Sequence, residues 1–389
     1  MIIGFDGSRA FVTQRTGTEN YSFNLLTQLL HVDRKNVYKI YLRLPAEVIQ
    51  TKPGIKAWLT HVTESLPRTQ NFRLVLITNK RLWTQAGLAW ELWQRTPDVL
   101  FIPAHTLPYI RKKSIKTVVT IHDLGYEYLP QYHKFPHRLW LNKSTEYAVA
   151  HADKLIAVSE ATRDDLMRKL KAEEKKITVI YEGVGMRLDP ASLVNSKWEV
   201  ARTKYSVGTH YIIFVGTIQP RKNLIRLIQA FRQLVDDTAV KELYPKLQLI
   251  LVGRKGWLDK AIYEEAEKQQ IPDRVLFLGH VPDDEAATLV KSALCFAFPS
   301  LFEGFGIPIL DSQSYGTPVL TSNQKPMTEV GGDAALYIDP LSVEAITQGL
   351  KKLVTDRKYA ELLRQKGLQN VKRFSWEKAA KETLKVLES

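Results

Sequence analysis

The side chains best placed to do chemistry in this 389-residue chain lie in one stretch, Phe298-Pro-Ser-Leu-Phe-Glu-Gly-Phe-Gly-Ile-Pro-Ile-Leu-Asp311. An apolar run, Ala293 to Phe298, reads as a strand. Glu303 then falls in a loop beside Gly304, Phe305 and Gly306, and Asp311 falls inside the helix expected to follow. Glycines let a backbone approach a ligand closely, and free amides at a helix start favour an anion. Two hard oxygen acceptors beside such a helix start suit a sugar nucleotide, Glu303 for sugar hydroxyls and Asp311 for a ribose. The competing reading is a strand, a glycine turn and a helix carrying two solvated acids.

A second stretch supplies the opposite charge. In Phe214-Val-Gly-Thr-Ile-Gln-Pro-Arg-Lys-Asn-Leu224 a strand ends at Gly216, and Arg221 and Lys222 are expected where a helix begins. Two cations beside free amides make a clamp for a diphosphate, whose charge grows as it leaves. Cations in a first helical turn oppose the helix dipole unless an anion joins them. Three more strand ends carry polar residues. His122 and Asp123 follow Val118-Val-Thr-Ile121, where a histidine exposed to a cleft can bond a sugar hydroxyl. His105, in Phe101-Ile-Pro-Ala-His105, is expected on the acceptor side together with Asp123. Arg254, in Leu249-Ile-Leu-Val-Gly-Arg254, can face a base or phosphates. Asp283 reads as a helix cap.

These loops need a scaffold that delivers strand ends to one place. Short apolar runs alternate with amphipathic stretches along nearly the whole chain, from Ile2–Asp6 through Tyr38–Leu42 and Phe72–Ile77 to Pro318–Thr321. Strands that are apolar without alternation, separated by helical patterns, imply parallel sheets covered on both faces. Length alone argues for two domains. The alternation pauses between Met186 and Ser206 and resumes with the strand at Tyr211, so the boundary is expected near 190–205. The expected division is 1–195, 196–372 and a terminal helix over 373–389, with Ser375 as its N-cap. In open α/β sheets ligands bind beyond the carboxyl ends of strands, where all these motifs lie.

The composition, 44% hydrophobic and 25% charged, is that of a soluble globular chain. The one cysteine, Cys295, allows no internal disulfide, which suits a cytoplasmic setting. Met1-Ile-Ile-Gly-Phe-Asp6 reads as a first strand, and no apolar run approaches the roughly 20 residues of a spanning helix. Net charge is +14, unevenly spread. Residues 1–150 hold 20 Lys and Arg against 10 Asp and Glu, whereas residues 301–350 hold 1 against 6. The basic run Arg111-Lys-Lys-Ser-Ile-Lys116 follows Pro108-Tyr-Ile110, a mixture suited to peripheral contact with the inner face of a membrane. Nucleic acid is not expected, because no recognition motif accompanies the charge. No Asp-x-Asp triplet occurs, and His133 and His137 are separated by Pro136 with no third ligand evident, so no metal site is expected.

The acidic stretch resembles the signature of the retaining glycosyltransferases of family 4, which adopt the GT-B fold. That family has Glu, seven residues, then Glu, and here Asp311 takes the second place. The family commonly places Gly-Arg at the strand end and a Lys near the helix start. Thr217 replaces that Arg, Lys222 matches, and Arg221 is an additional cation. The resemblance implies that Gly17 lies in the N-terminal glycine loop near the donor phosphate, that His122 sits by the donor sugar, and that backbone around Val281 meets the nucleotide base. It implies two Rossmann-like domains facing each other across a cleft, with the last helix crossing back to the N-terminal domain. It also implies transfer of a sugar, with retention, from a nucleoside diphosphate to a hydroxyl of a glycan or lipid-linked acceptor, without cofactor or required metal. The pattern is most similar to mannosyltransferases using GDP-mannose, while UDP-glucose, UDP-galactose and UDP-N-acetylglucosamine stay open as donors. Two rival classes stay in view. One is a non-catalytic sugar-nucleotide-binding module. The other is a different GT-B-like enzyme, such as an epimerase or a phosphorylase, though no motif marks a pyridoxal phosphate lysine.

Overall fold

A computed structural model of the chain describes residues 1–12, 15, 17–45, 48, 52–79, 81–128, 137–185 and 195–389. Among them are thirteen strands: β1 (Ile2–Asp6), β2 (Val37–Arg43), β3 (Phe72–Ile77), β4 (Val99–Ile102), β5 (Lys116–Ile121), β6 (Lys154–Ala157), β7 (Ile177–Val179), β8 (Tyr211–Val215), β9 (Gln248–Val252), β10 (Val275–Gly279), β11 (Cys295–Phe298), β12 (Val319–Ser322) and β13 (Ala335–Ile338). Central strands such as β4, β11 and β12 are buried at every position, which only a sheet covered on both faces permits. The expected strands are found to within a residue or two at each end. β13 is an addition to those singled out from the sequence, its Leu336 and Tyr337 being only half-buried.

The strands form two all-parallel sheets, ordered β3-β2-β1-β4-β5-β6-β7 and β10-β9-β8-β11-β12-β13. In both, the winding direction reverses once, between β1 and β4 in the first sheet and between β8 and β11 in the second. This is the doubly wound Rossmann-like topology that the alternation implies, and each reversal opens a crevice at the carboxyl ends of the flanking strands.

Each sheet organises its own compact unit. The first comprises residues 1–124, the described part of 135–183, and 374–389; the second comprises the described parts of 125–134 and 184–373. The change therefore falls at Gly183–Val184, ahead of the 195–196 position read from the sequence. Gly183 lies so close to Trp376 that a Cβ would stand 2.4 Å from its backbone nitrogen. Two residues later Gly185 is held by Asp311 of the second unit. The chain is thus claimed by one core and then the other before the polar 190–205 segment begins. The short helix Gly125–Tyr128 belongs to the second unit, where Tyr128 stacks on Phe302 at 4.8 Å.

The last helix, Trp376–Glu388, packs in the first unit. Ser375 caps it, accepting from the Lys378 N–H at 3.0 Å, a contact worth about 1 kcal/mol. Its inner face meets the Gly17–Val32 helix, where the Tyr21 ring lies edge-on to Trp376 at 5.7 Å, and the turn after that helix, where Glu388 accepts from the Asn36 amide at 3.0 Å. Gly17 is the first residue of that helix. Glu19 lies in its first turn, where the dipole favours an acid, and pairs with Arg9 at 3.2 Å.

Candidate functional site

In the second unit three adjacent strands end in glycine. Gly216 after β8, Gly253 after β9 and Gly279 at the end of β10 all have positive φ, at 155°, 148° and 68°. Gly253 cannot be any other residue here, because a Cβ would lie 1.8 Å from the Gly216 carbonyl oxygen. The Gly253 N–H donates to the Gly279 carbonyl at 2.8 Å, and the Gly216 N–H donates to that of Val252 at 2.9 Å. The result is a ledge of bare backbone along the carboxyl edge of the sheet, where a ligand can approach the main chain.

Beside this ledge, Pro220–Lys222 forms a 3-10 turn, and the α-helix starts only at Leu224. The expected placement of Arg221 and Lys222 in the first turn of the long helix is therefore corrected. Asn223 is the reason: it is left-handed at φ 61°, which interrupts the helix, and asparagine tolerates that conformation better than most residues. Its side-chain amide donates to the carbonyls of Pro299 (3.1 Å) and Pro340 (2.6 Å), tying together the loops that follow β11 and β13.

The turn meets the acidic loop at the reversal between β8 and β11. The Leu301 N–H donates to the Arg221 carbonyl at 2.8 Å, and the Arg221 guanidinium donates to the Phe302 carbonyl at 3.0 Å. Lys222 Nζ lies 2.5 Å from Glu303 Oε1 and 4.7 Å from the centre of the Phe298 ring; Arg221 reaches Glu303 Oε2 at 2.8 Å. Lys222 is 6% exposed and Glu303 8%. Burial raises the Glu303 pKa, but the charges of Arg221 and Lys222 and the Lys222 hydrogen bond outweigh it and bring it down to about 2. The carboxylate is ionised at neutral pH, and the three groups together carry one excess positive charge at the edge of the glycine ledge. An excess of positive charge of this kind favours an anion.

The rest of the stretch is placed as expected. Gly306 is left-handed at φ 111° and precedes the helix Ile307–Ser314, inside which Asp311 is 6% exposed. One Asp311 oxygen accepts the Gly185 N–H at 2.8 Å. Phe305 is buried and Gly304 half-buried. Arg254 is half-buried next to Gly253, and its carbonyl accepts from the Ile218 N–H at 2.9 Å. The Val281 side chain is buried. Asp283 is not the cap of its helix. Pro282 takes that position, and Asp283 stands in the first turn, where its charge suits the helix dipole.

In the first unit His122 departs from expectation. It is 8% exposed instead of open to a cleft, and both ring nitrogens are engaged. Nε2 donates to the Pro103 carbonyl at 2.8 Å, and Nδ1 lies 3.3 Å from Glu182 Oε1. Tyr21 packs edge-on to the ring at 4.6 Å and contacts the Thr120 hydroxyl at 3.1 Å. The strand order explains this: β4, β5 and β6 are neighbours, so Pro103 emerges beside His122 and encloses it. His105 follows Pro103 and lies edge-on to His122 at 6.1 Å. Burial, together with the charges of His122 and Arg9, lowers its pKa to about 3, with Asp123 acting the other way. His105 is neutral at physiological pH. Asp123 is half-buried, and Gly17 is exposed with nothing within 4 Å of where a Cβ would stand.

Glu182 went unnoticed in the sequence, although a signal existed. Glu182-Gly-Val-Gly185 follows β7 much as Glu303-Gly-Phe-Gly306 follows β11, and in both the carboxylate meets a basic side chain from another strand end. Asn223 and Gly253 were also missed as anchors, since their partners are distant in sequence. Among the described residues no three of His, Cys, Asp and Glu converge as a metal-binding group, and no helix is long and apolar enough to cross a membrane. His133 and Pro136 lie outside the described residues.

Comparison with known proteins bears on the family and the fold. Residues 43–187 match the family described as Glycosyltransferase Family 4, and residues 199–370 match Glycosyl transferases group 1. The chain is 30% identical over 311 residues to O-antigen chain mannosyltransferase B of Escherichia coli, covering 80% of this chain and 79% of that one. It is 27% identical over 287 residues to serotype-specific mannosyltransferase WbdA of Escherichia coli, covering 72% of this chain but only 33% of the longer relative. Its fold matches HepE of Anabaena, solved with UDP and glucose, with a TM-score of 0.71 at 16% identity over 100% of this chain and 99% of the other. From the two family matches, the extensive relationship to a mannosyltransferase and the two doubly wound sheets, the chain belongs to the family 4 glycosyltransferases and is a glycosyltransferase of the GT-B fold.

Proposed function

We propose that the protein transfers mannose from GDP-mannose to a hydroxyl of a glycan or lipid-linked acceptor, with retention of configuration and without a metal ion. The observation that carries the reading is the Arg221–Lys222–Glu303 cluster at the strand reversal of the second unit. The two cations and the helix-start amides neutralise the diphosphate as it leaves, which is where transition-state charge accumulates. Glu303 holds hydroxyls of the sugar ring, Asp311 the ribose, and the Val281 backbone the base. Gly216, Gly304 and Gly306 allow main chain to approach the phosphates, with Phe305 filling the loop beneath and Arg254 facing the nucleotide. The C1–O bond to the diphosphate breaks and a bond from the acceptor oxygen forms on the same face. The acceptor proton passes to the departing diphosphate, so no protein nucleophile is needed. His122, held by Pro103 and Glu182, acts by keeping the β5 end and Asp123 in position, with His105 beside it.

Mannose is favoured because two relatives are named mannosyltransferases. A UDP-sugar donor is the second reading, favoured by the likeness to a fold solved with UDP and glucose. The test is a donor screen on the purified protein, with GDP-mannose and common UDP-sugars, with and without EDTA, counting released nucleoside diphosphate. EDTA-resistant release from GDP-mannose alone is expected. Release from a UDP-sugar instead overturns the donor, loss with EDTA overturns metal independence, and tight nucleotide binding without turnover on any acceptor lipid favours the binding-module reading.

A further inference from the structure

One face of the first unit exposes what a soluble surface ordinarily hides. The chain turns through a π-helical segment, Trp83–Leu88, and continues as the helix Ala89–Gln94. Trp83, Leu88, Ala89 and Leu92 point inward and are buried. Leu82, Ala86, Trp90 and Trp93 form the opposite stripe, with Leu82 72% exposed, Trp90 66% and Trp93 49%. The loop after β4 joins this stripe. The Gln85 side chain donates to the Leu107 carbonyl at 3.2 Å and accepts from the Tyr109 N–H at 2.8 Å. The loop adds Tyr109 at 48% and Ile110 at 67% exposure. An outward apolar cluster of this kind marks an interaction site, because transferring large side chains to water is unfavourable.

Cations frame the cluster. Arg81, Arg95 and Lys113 are exposed, and the Lys112 ammonium lies 5.6 Å from the Trp93 ring while donating to Thr96 at 2.9 Å. Glu91 is the acid within the helix, and Arg95 pairs with it at 3.4 Å. The basic run read from the sequence divides here. Arg111 turns inward to the Tyr147 hydroxyl and the His151 carbonyl, and Lys116 donates to the carbonyls of Val386, Leu387 and Ser389, leaving Lys112 and Lys113 to the surface.

We propose that this face docks the protein on an anionic lipid bilayer, with Leu82, Trp90, Trp93 and Ile110 entering the headgroup boundary and Arg81, Lys112 and Lys113 meeting lipid phosphates. Tryptophan and tyrosine favour that boundary because one end of the ring system is apolar and the other polar. The cations supply the attraction that a negative leaflet requires. A second copy of the chain is disfavoured as occupant, since a symmetric contact would bring these cations against their own copies. The proposal is independent of the donor reading, which concerns the other unit.

The test is sedimentation of the full chain with vesicles of phosphatidylcholine alone and of phosphatidylcholine mixed with phosphatidylglycerol, at low and high salt. The protein is expected to pellet with the anionic vesicles and to be released by salt. Trp90→Ala/Trp93→Ala should weaken binding at least about tenfold. Arg81→Glu/Lys113→Glu should weaken it by about fivefold or more per charge. Both variants should keep the wild-type melting temperature and wild-type donor hydrolysis in solution, separating docking from folding and from chemistry. Equal pelleting with neutral vesicles, no pelleting with either, or undiminished binding by the tryptophan variant overturns the proposal. A dimer in solution that the tryptophan variant abolishes overturns it in favour of self-association.

Discussion

Lys222 Nζ stands 2.5 Å from Glu303 Oε1, although 81 residues separate the two in sequence, and both side chains are buried. A buried pair of this kind is costly to break, because the surviving charge is left without compensation, typically about 3–5 kcal/mol. The same pair therefore links the stability of the second unit to its proposed chemistry.

Glu303→Ala and Lys222→Ala should each reduce transfer by at least roughly 100-fold, the scale of losing one transition-state contact. The double replacement Lys222→Met/Glu303→Gln separates the two roles. Its stability should recover relative to either single variant, since neither buried member of the pair is left as a lone charge and the less buried Arg221 keeps its bond to the Phe302 carbonyl, while its activity stays low. Denaturant unfolding and donor turnover measured together check this, and near-normal turnover in both single variants would remove the site assignment.

The Glu303 carboxyl ionises at about 2 in the folded chain against an ordinary value of 4.5. Its folded pKa is depressed, so its contribution to stability is present above about pH 4.5 and is lost as pH falls towards 2. Unfolding midpoints measured across this window should drop steeply for the wild type and more gently for Glu303→Gln. Parallel curves would mean that the pair contributes nothing ionic.

A second window belongs to His105, lowered to about 3 from 6.5. The unfolded chain takes up its proton first as pH falls, so stability is full above 6.5 and declines below it. Between pH 6.5 and 4.5 this decline precedes that of Glu303, and His105→Gln should flatten it. A wild-type stability profile that is already level there would show His105 to be accessible to protons in the folded state.

Two glycines make opposite predictions. Gly253→Ala forces a Cβ against the Gly216 carbonyl at a positive φ and should destabilise the second unit by several kcal/mol. Gly17→Ala meets nothing within 4 Å and replaces glycine in a helix, so it should raise stability by about 0.5–1 kcal/mol. If Gly17 serves the donor phosphate, the same variant should weaken donor binding measured by calorimetry; unchanged affinity would dismiss that role.

Asp311 accepts the Gly185 N–H in addition to its proposed ribose contact. Asp311→Asn keeps an acceptor for that amide and should fold normally while losing affinity for GDP. Asp311→Ala should also cost about 1–3 kcal/mol of stability by stranding the amide. Equal GDP affinity in all three proteins would leave Asp311 with a structural role alone.

What was legible in the sequence is what depends on neighbours along the chain. Runs such as Val99–Ile102 and Cys295–Phe298 are apolar at every position, which identifies buried parallel strands, and glycines or carboxylates directly after them identify ligand-facing loops. Ser375 was readable as a cap because its partner, Lys378, is three residues away. The start of the helix after Gly216 was not, because Asn223 adopts its left-handed turn through bonds to Pro299 and Pro340, more than 70 residues distant.

The residues of the candidate site, and their positions just beyond strand ends, were thus determined by the sequence itself. Their pairing was decided by tertiary structure. Strand order alone sets β8 against β11 and so brings Lys222 to Glu303, and it sets β4 beside β5 and so closes Pro103 over His122. Burial follows from the same packing, and with it the low pKa of His105, while the pairing with Arg221 and Lys222 keeps Glu303 ionised in spite of burial. A side chain's charge and hydrogen-bonding capacity are written in its type, but its desolvation and its partner depend on which distant strands become neighbours.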